Sequence, residues 1–389
     1  MITREDIREL ATFQIPEGTC AISFYFQPKT PQNKSHREEA ILAKELVRNA
    51  VREAEKCGKN GAARADLKKI LALAESQRRN HAHARAVFAC GAREFWREYD
   101  LPPQLRESQL FVNRRFHLKP LALLLGAQRS VGVALVSRQQ AKLFDFRLEE
   151  LKEREVISRP VPRPRSDGFA GYNAGHAERR LAEDSLHYFK DVADRLKEET
   201  ERGAWEKLII GCQDAHWTEL QPHLHSYLKQ RLIGRFPIEV ATASNDEIRE
   251  RASRVQLDAQ DSRRQNLVKE AINQAKSNSR GVTGLRRVLR SLELGEVQTL
   301  LIGDNYRAQA VECSNCGHLD AHMVRHCPVC GRATRELDDV CDAVIPAAIR
   351  RDVELFYVKD DPDFDRAGNI AALLRFRTDQ GRGNLAAAV

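Results

Sequence analysis

The sequence predicts a mixed α/β (α+β) fold spread over three units. Three observations carry this. At 389 residues the chain is longer than one ordinary core accommodates. Short apolar or alternating runs of strand type recur between longer segments of helical period. Apolar residues make up 42% of the chain, enough to build globular cores. The expected units are an N-terminal α/β domain at 1–128, a middle α/β domain at 129–262 and a C-terminal α/β domain at 263–389. No internal repeat is visible, and one short Arg-Pro tract is the sole biased segment.

In the first unit, CAISFYF from Cys20 is a buried strand rich in aromatics. SHREEAILAKELVRNAVREAEK follows as a helix, with Leu42, Leu46, Ala50 and Ala54 on one stripe. Ser35 and Glu38 have the spacing of a capping box at its start. ADLKKILALAESQ is a second amphipathic helix, and ARAVFAC and SQLFVNRRFHL are further strands.

The middle unit opens with SVGVALVS and QAKLFDFRL, a strand pair. RPVPRPR then leads into SDGFAGYNAGHAERR, a Gly-rich loop at 166–176 running into a charged helix. That helix carries Leu181, Ser185, Tyr188, Val192 and Leu196 on one face. KLIIGC is a parallel-type strand, LQPHLHSYLKQRL a helix, IEVATA a strand, and NDEIRERASRVQLDAQDSRRQ a polar linking helix. In the third unit NLVKEAINQAK and GLRRVLRSLELG are helices, the second closed by Gly295. VQTLLIG and VELFYV are strands, with DDVCDAVIPAAIRR a helix between them.

Charge narrows the partners. Ionised residues make up 30% of the chain and the net charge is +8, which favours polyanions, either nucleic acid or an anionic membrane surface. The N-terminal MITREDIRELATF has no apolar signal core, and the longest apolar run, LALLLGA from Leu121, is too short to span a bilayer. The expectation is a cytoplasmic protein with no membrane partner. Of nine cysteines, Cys20, Cys57, Cys90, Cys212 and Cys341 are scattered and four are clustered. In a reducing compartment such a cluster reads as a metal site.

That cluster, CSNCGHLDAHMVRHCPVCG, is the strongest local signal. Cys313 and Cys316 form one C-x2-C pair and Cys327 and Cys330 another, each followed by a glycine. Two such knuckles place four thiolates around Zn2+, defining a zinc ribbon at 313–331. A closed four-thiolate set has no open position, so the zinc is structural. His318, His322 and His326 lie nearby but are not needed as ligands. His81 with His83, and His223 with His225, lack ligand spacing to a second pair. No nucleophile elbow, Walker loop or H-E-x-x-H motif occurs, and the aspartate of GDNYR has no partner in the sequence. Nothing assembles a nucleophile, a base and an oxyanion site, so no catalytic residue is expected.

Basic stretches run from Arg154 to Arg165 and recur at Arg179–Arg180 and Arg286–Arg287. Arg286–Arg287 reads as a solvated face. Arg163 and Arg165 sit on a proline-stiffened segment, which suits phosphate contacts. Gly168, Ala170, Gly171, Tyr172 and Asn173 form either a plain surface loop or a probe of folded RNA.

The segments GVTGLRRVLRSLELGEVQTLLIGDN, ELDDVCDAVIPAAIRRDVELFYV and FDRAGNIAALLRFR resemble the C-terminal domain of archaeal and eukaryotic class I release factors. Zinc-ribbon cysteines between these blocks also occur in that family, and the domain order is similar. The resemblance implies a three-domain release-factor-like architecture. In that family a Gly-Gly-Gln loop precedes a long helix. Aligning the stretch YFKDVAD without gaps sets those three residues against Ala170, Gly171 and Tyr172, so the glutamine that supports peptidyl-tRNA hydrolysis is absent. The stop-codon loop Asn-Ile-Lys-Ser is also missing. Only Asn33, Lys34 and Ser35 remain, and they read as a helix start.

The chain therefore resembles bacterial members of the release factor and Pelota superfamily, the Balon-like ribosome hibernation factors. The resemblance implies a non-catalytic factor in the A site of the bacterial ribosome. The loop residues, with Arg179 and Arg180, would meet rRNA at the peptidyl-transferase centre, and the third unit would meet elongation factor Tu or another translational GTPase. Three alternatives stand beside it. One is Pelota-like rescue of stalled ribosomes. Another is an RNA-processing nuclease with divalent-metal-dependent cleavage by acids such as Asp145 and Asp214. The third is a scaffold whose zinc ribbon docks proteins.

Overall fold

In a computed structural model, the structure describes residues 2–16, 18–26, 36–57, 61–76, 84–101, 108–122, 130–147, 150–158 and 174–378. The chain forms two compact units. One joins Met1–Gly126 to Asn266–Val389, and the other is Ala127–Gln265. The fold is a mixed α/β arrangement of four sheets among the described residues.

In the first unit, an antiparallel sheet has the order β3-β2-β1-β4, with β1 Ala21–Phe26, β2 Ala84–Cys90, β3 Phe95–Leu101 and β4 Gln109–Asn113. Strand alternation sends Ile22, Phe24, Phe26, Val87 and Ala89 to one face. There they pack on α2 (His36–Cys57) and α3 (Gly61–Ser76). The other face carries Tyr25, Ala86 and Phe88, packed with Ile7 and Leu10 of α1 (Arg4–Thr12). That core continues into the C-terminal half of the unit through Val344, Ala348 and Leu300. The buried stripe of α2 is Ala43, Val47, Ala50 and Ala54, while Leu42 is exposed. The helix is thus rotated by one position, in its first half, from the leucine stripe expected.

The C-terminal half holds the sheet β10-β16-β11-β15. Its strands are β10 Gly281–Thr283, β11 Val297–Gly303, β15 Glu354–Val358 and β16 Ile370–Leu374. β11 pairs parallel to β15 and antiparallel to β16. Between β11 and β15 the chain makes a small sheet of β12 Ala310–Cys313, β13 Leu319–Asp320 and β14 Thr334–Leu337.

The second unit is a five-stranded sheet, β7-β6-β5-β8-β9. Here β5 is Val131–Val136, β6 Gln140–Arg147, β7 Glu150–Ser158, β8 Lys207–Gly211 and β9 Leu232–Phe236. The long helix α4 (Ala174–Glu201) buries Tyr188, Phe189, Val192 and Leu196 on one face of the sheet. Short helices α5 (Asp214–Leu220) and α6 (Ser226–Arg231) follow β8. On the other face, Ile248 and Ala252 of α7 (Asn245–Lys276) pack against Val133, Phe144 and Phe236.

Three local expectations are corrected. Ile238–Ala243 (IEVATA) is not a strand. Ile238 and Val240 are buried, but Ala243 N donates to Glu239 O in a turn, and the sheet position is taken by Leu232–Phe236. LQPHLHSYLKQRL is broken rather than continuous. His225 stands before α6, and its Nδ1 accepts from Tyr227 N at 3.2 Å. The linking helix and NLVKEAINQAK are one helix, α7. The capping box at Ser35, the triplet Asn33–Ser35 and the pair His81 and His83 lie outside the described residues.

Candidate functional site

The four clustered cysteines converge. Their Sγ atoms all lie within 4.8 Å of one another, with 3.3 Å between Cys313 and Cys330 and 3.6 Å between Cys316 and Cys327. A tetrahedral zinc with Zn–S bonds of about 2.3 Å needs sulfurs about 3.8 Å apart, so the donor set fits such an ion in number, type and spacing.

The knuckles are built alike. Gly317 N donates to Cys313 O and Gly331 N to Cys327 O. Both glycines have φ near +72°, a conformation that a side chain disfavours. Backbone N–H groups also point at sulfur. Cys316 N and Asn315 N donate to Cys313 Sγ, and Val329 N donates to Cys327 Sγ. Donation from the Cys316 N–H, then from Asn315, pulls the Cys313 thiol down to about 6. At Cys316, against donation from the His318 N–H, burial and the three neighbouring sulfurs push the thiol up to about 12, so without an ion the close thiols do not all ionise together. Cys313 and Cys327 are buried, and Cys316 and Cys330 face outward.

Two of the three neighbouring histidines are held by carboxylates. His318 Nδ1 lies 2.8 Å from Glu293 Oε1, and His322 Nδ1 lies 3.1 Å from Asp320 Oδ1. Glu293 closes the helix α8 (Leu285–Glu293), so the first bond fixes the ribbon to that helix. A second anchor is Glu312, one residue before the first ligand. Its side chain is 4% exposed and bridges two guanidinium groups, those of Arg335 and Arg115. Sequence reading missed this bridge. AVEC alternates like any strand, and nothing local signals that the glutamate points into the core with a partner 197 residues away.

In the second unit, Arg163, Arg165, Gly168, Ala170, Gly171, Tyr172 and Asn173 lie outside the described residues, and Arg179 and Arg180 fall within α4. Arg154, the first residue of the basic stretch, is not a free phosphate contact. It sits on β7 and is engaged by Asp145 at 3.1 Å and by the buried Glu199 at 3.2 Å. Asp145 also accepts from Trp205 Nε1 at 2.8 Å, and Asp214 is paired with Arg235 at 2.5 Å. Of the two acids named for nuclease chemistry, Asp145 thus holds Arg154 and Trp205, and Asp214 stands exposed in a surface pair with Arg235. Among the described residues, the four cysteines form the one candidate metal group. Among the same residues, no helix is long and apolar enough to cross a membrane.

A model of bacterial archaeo-eukaryotic release factor family 10 matches residues 117–257. Peptide chain release factor subunit 1 of Thermococcus kodakarensis is 25% identical over 307 residues, covering 71% of this chain and 74% of that protein. The same factor from Archaeoglobus fulgidus is 25% identical over 290 residues, covering 69% and 70%. Among solved structures, Archaeoglobus fulgidus Pelota aligns over 96% of this chain and 93% of its own, at 12% identity and a TM-score of 0.34.

Proposed function

We propose that this chain, which is similar to bacterial archaeo-eukaryotic release factor family 10 and to archaeal release factor subunit 1, is a ribosome-binding translation factor that occupies the A site without releasing the nascent chain. One observation carries the reading. Within the segment that matches the family model, the loop ahead of the long helix reads Ala170-Gly171-Tyr172 where release factors carry Gly-Gly-Gln. Small residues let the tip enter crowded rRNA. A tyrosine side chain has no amide with which to orient water at an ester, so contact is retained and hydrolysis is not.

In this reading the factor acts in the cytoplasm on idle bacterial ribosomes, as in hibernation. The third unit faces a translational GTPase such as elongation factor Tu. Arg163 and Arg165 take phosphates on the way in, and Tyr172 and Asn173 meet bases. The four ribbon cysteines hold a structural zinc ion. Zinc supplies binding energy that becomes folding energy, on the order of 10 kcal/mol in small peptides. Cys313 and Cys327 would hold it from the buried side and Cys316 and Cys330 from outside.

Cosedimentation with vacant bacterial ribosomes, at two salt concentrations and with A-site tRNA as competitor, tests this. Binding is expected to weaken with salt and to be displaced by tRNA. Arg163→Ala with Arg165→Ala should weaken it further and flatten the salt dependence. Absence of binding, with or without a GTPase, would remove the ribosomal reading. Preference for stalled complexes on truncated messages over idle ribosomes would replace hibernation by rescue.

A further inference from the structure

Exposed arginines on this chain are of two kinds: Arg138, Arg249 and Arg366 stand against Glu219, Asp246 and Asp363, whereas Arg114, Arg147, Arg307 and Arg325 have no acidic partner among the described residues. The helix α8 gathers three of the second kind within five residues. It buries Val288, Leu289 and Leu292 and turns Arg286, Arg287 and Arg290 to solvent, where none of the three has an acidic partner among the described residues. The acids nearby are occupied. Glu293, three residues beyond Arg290, is held by His318. Glu296 accepts from the backbone and hydroxyl of Thr378. Glu312 bridges Arg115 and Arg335, and Asp320 takes His322.

This placement works against the helix. Arg286 and Arg290 are like charges at i and i+4, and Arg286 and Arg287 stand in the first turn, where the helix dipole disfavours cations. The N-cap, Gly284, offers no side-chain acceptor. Local electrostatic cost with no internal contact in return is the mark of a surface shaped for a ligand. We infer that the Arg286–Arg287–Arg290 face of α8 binds the phosphate backbone of RNA.

The chemistry favours phosphate over an acidic protein. A guanidinium presents a planar fork to two oxygens of one phosphate. Arg286 and Arg290 are separated by about 6 Å along the helix axis, within reach of neighbouring phosphates of one strand. Between Arg286 and Arg290 no large apolar side chain is exposed, and the one beside the patch is Leu294, 47% exposed at the C-cap. Protein interfaces anchor on aromatic and aliphatic groups, whereas phosphate contacts need charge alone. The inference rests on the ribosomal reading only for the RNA being ribosomal, and it is tested without ribosomes.

The experiment is fluorescence anisotropy of a labelled RNA duplex of arbitrary sequence, titrated with the full, zinc-loaded chain over a series of salt concentrations. R286Q/R287Q/R290Q is compared with R249Q/R264Q/R366Q, which removes the same charge from residues engaged in surface ion pairs. The α8 triple is expected to weaken binding about tenfold or more and to lower the slope of log affinity against log salt by roughly two to three. The control triple is expected to change affinity less than about twofold. Equal weakening by both triples, or none by the first, overturns the inference. So does tighter binding of a labelled poly-glutamate peptide that the α8 triple abolishes, which would assign the face to an acidic protein. A chain that binds RNA through α8 but does not sediment with ribosomes keeps this inference and loses the ribosomal reading. The reverse result does the opposite.

Discussion

At Gly132, in the middle of β5, there is no room for a methyl group. A Cβ there would stand 2.3 Å from the Trp205 ring, which is itself buried. Trp205 hydrogen-bonds Asp145, and Arg154 lies over its ring and against the same carboxylate. Gly132→Ala must therefore push the indole off its site and disturb the acid and the arginine together. The expected cost is about 1–3 kcal/mol, read as a lower urea midpoint by tryptophan fluorescence. An unchanged midpoint would mean that the ring shifts freely. Asp145 also shows where sequence reading stops. The residue type is compatible with metal chemistry, and only the fold shows that it holds Trp205 and Arg154. Conversely, the four cysteines were legible because their spacing is itself the geometry.

At the scale of elements, long periodic helices and continuous apolar strands were legible, since burial on one face imposes a period. The strand β9 was not. Gly234 and Arg235 interrupt its pattern, yet Gly234 is required because a Cβ there would meet Val255 of α7 at 2.5 Å. The neighbouring IEVATA has the better strand composition and loses the sheet position to a tertiary contact. In the cysteine cluster, the proposed zinc site and the Glu312 anchor beside it are separable. Cys316→Ser is expected to reduce bound zinc from one per chain to a small fraction, measured by elemental analysis. Glu312→Gln is expected to keep the zinc but lower stability by about 2–4 kcal/mol, because a buried charge bridge loses its anion. Loss of zinc from the Glu312 variant would show that the anchor and the metal centre form one device.

Across the whole molecule, buried hydroxyl and thiol groups set the alkaline limit. Burial pushes the Tyr306 hydroxyl up to about 12 and the Cys212 thiol up to about 11. It also raises Tyr25, Tyr357 and Cys341 above their ordinary values. Above the ordinary value the unfolded chain loses the proton and the folded chain keeps it, so the native state binds more protons and stability falls as pH rises. The stabilising contribution is complete below about pH 9 and declines above it. Cys212 acts over roughly 9 to 11 and the tyrosines from about 10 upward. Four of these groups lie in the unit Met1–Gly126 with Asn266–Val389 and one in the other, so the first unit should unfold first in alkali. Tyr357→Phe, which removes a buried hydroxyl without a hydrogen-bond partner, should flatten the decline. Urea midpoints between pH 8 and 11 check both outcomes.

The discontinuous unit also has a consequence for synthesis. Every residue of Ala127–Gln265 is synthesised before the second half of the other unit begins. The face of the N-terminal sheet that carries Tyr25 and Phe88 shares its core with Leu300, Val344 and Ala348. While the chain grows, α2 and α3 can cover one side of that sheet, but the other side waits through the translation of nearly two hundred further residues. The middle unit can fold before that core is complete, and the nascent N-terminal half carries an apolar face that α1 covers only in part and that a chaperone would recognise.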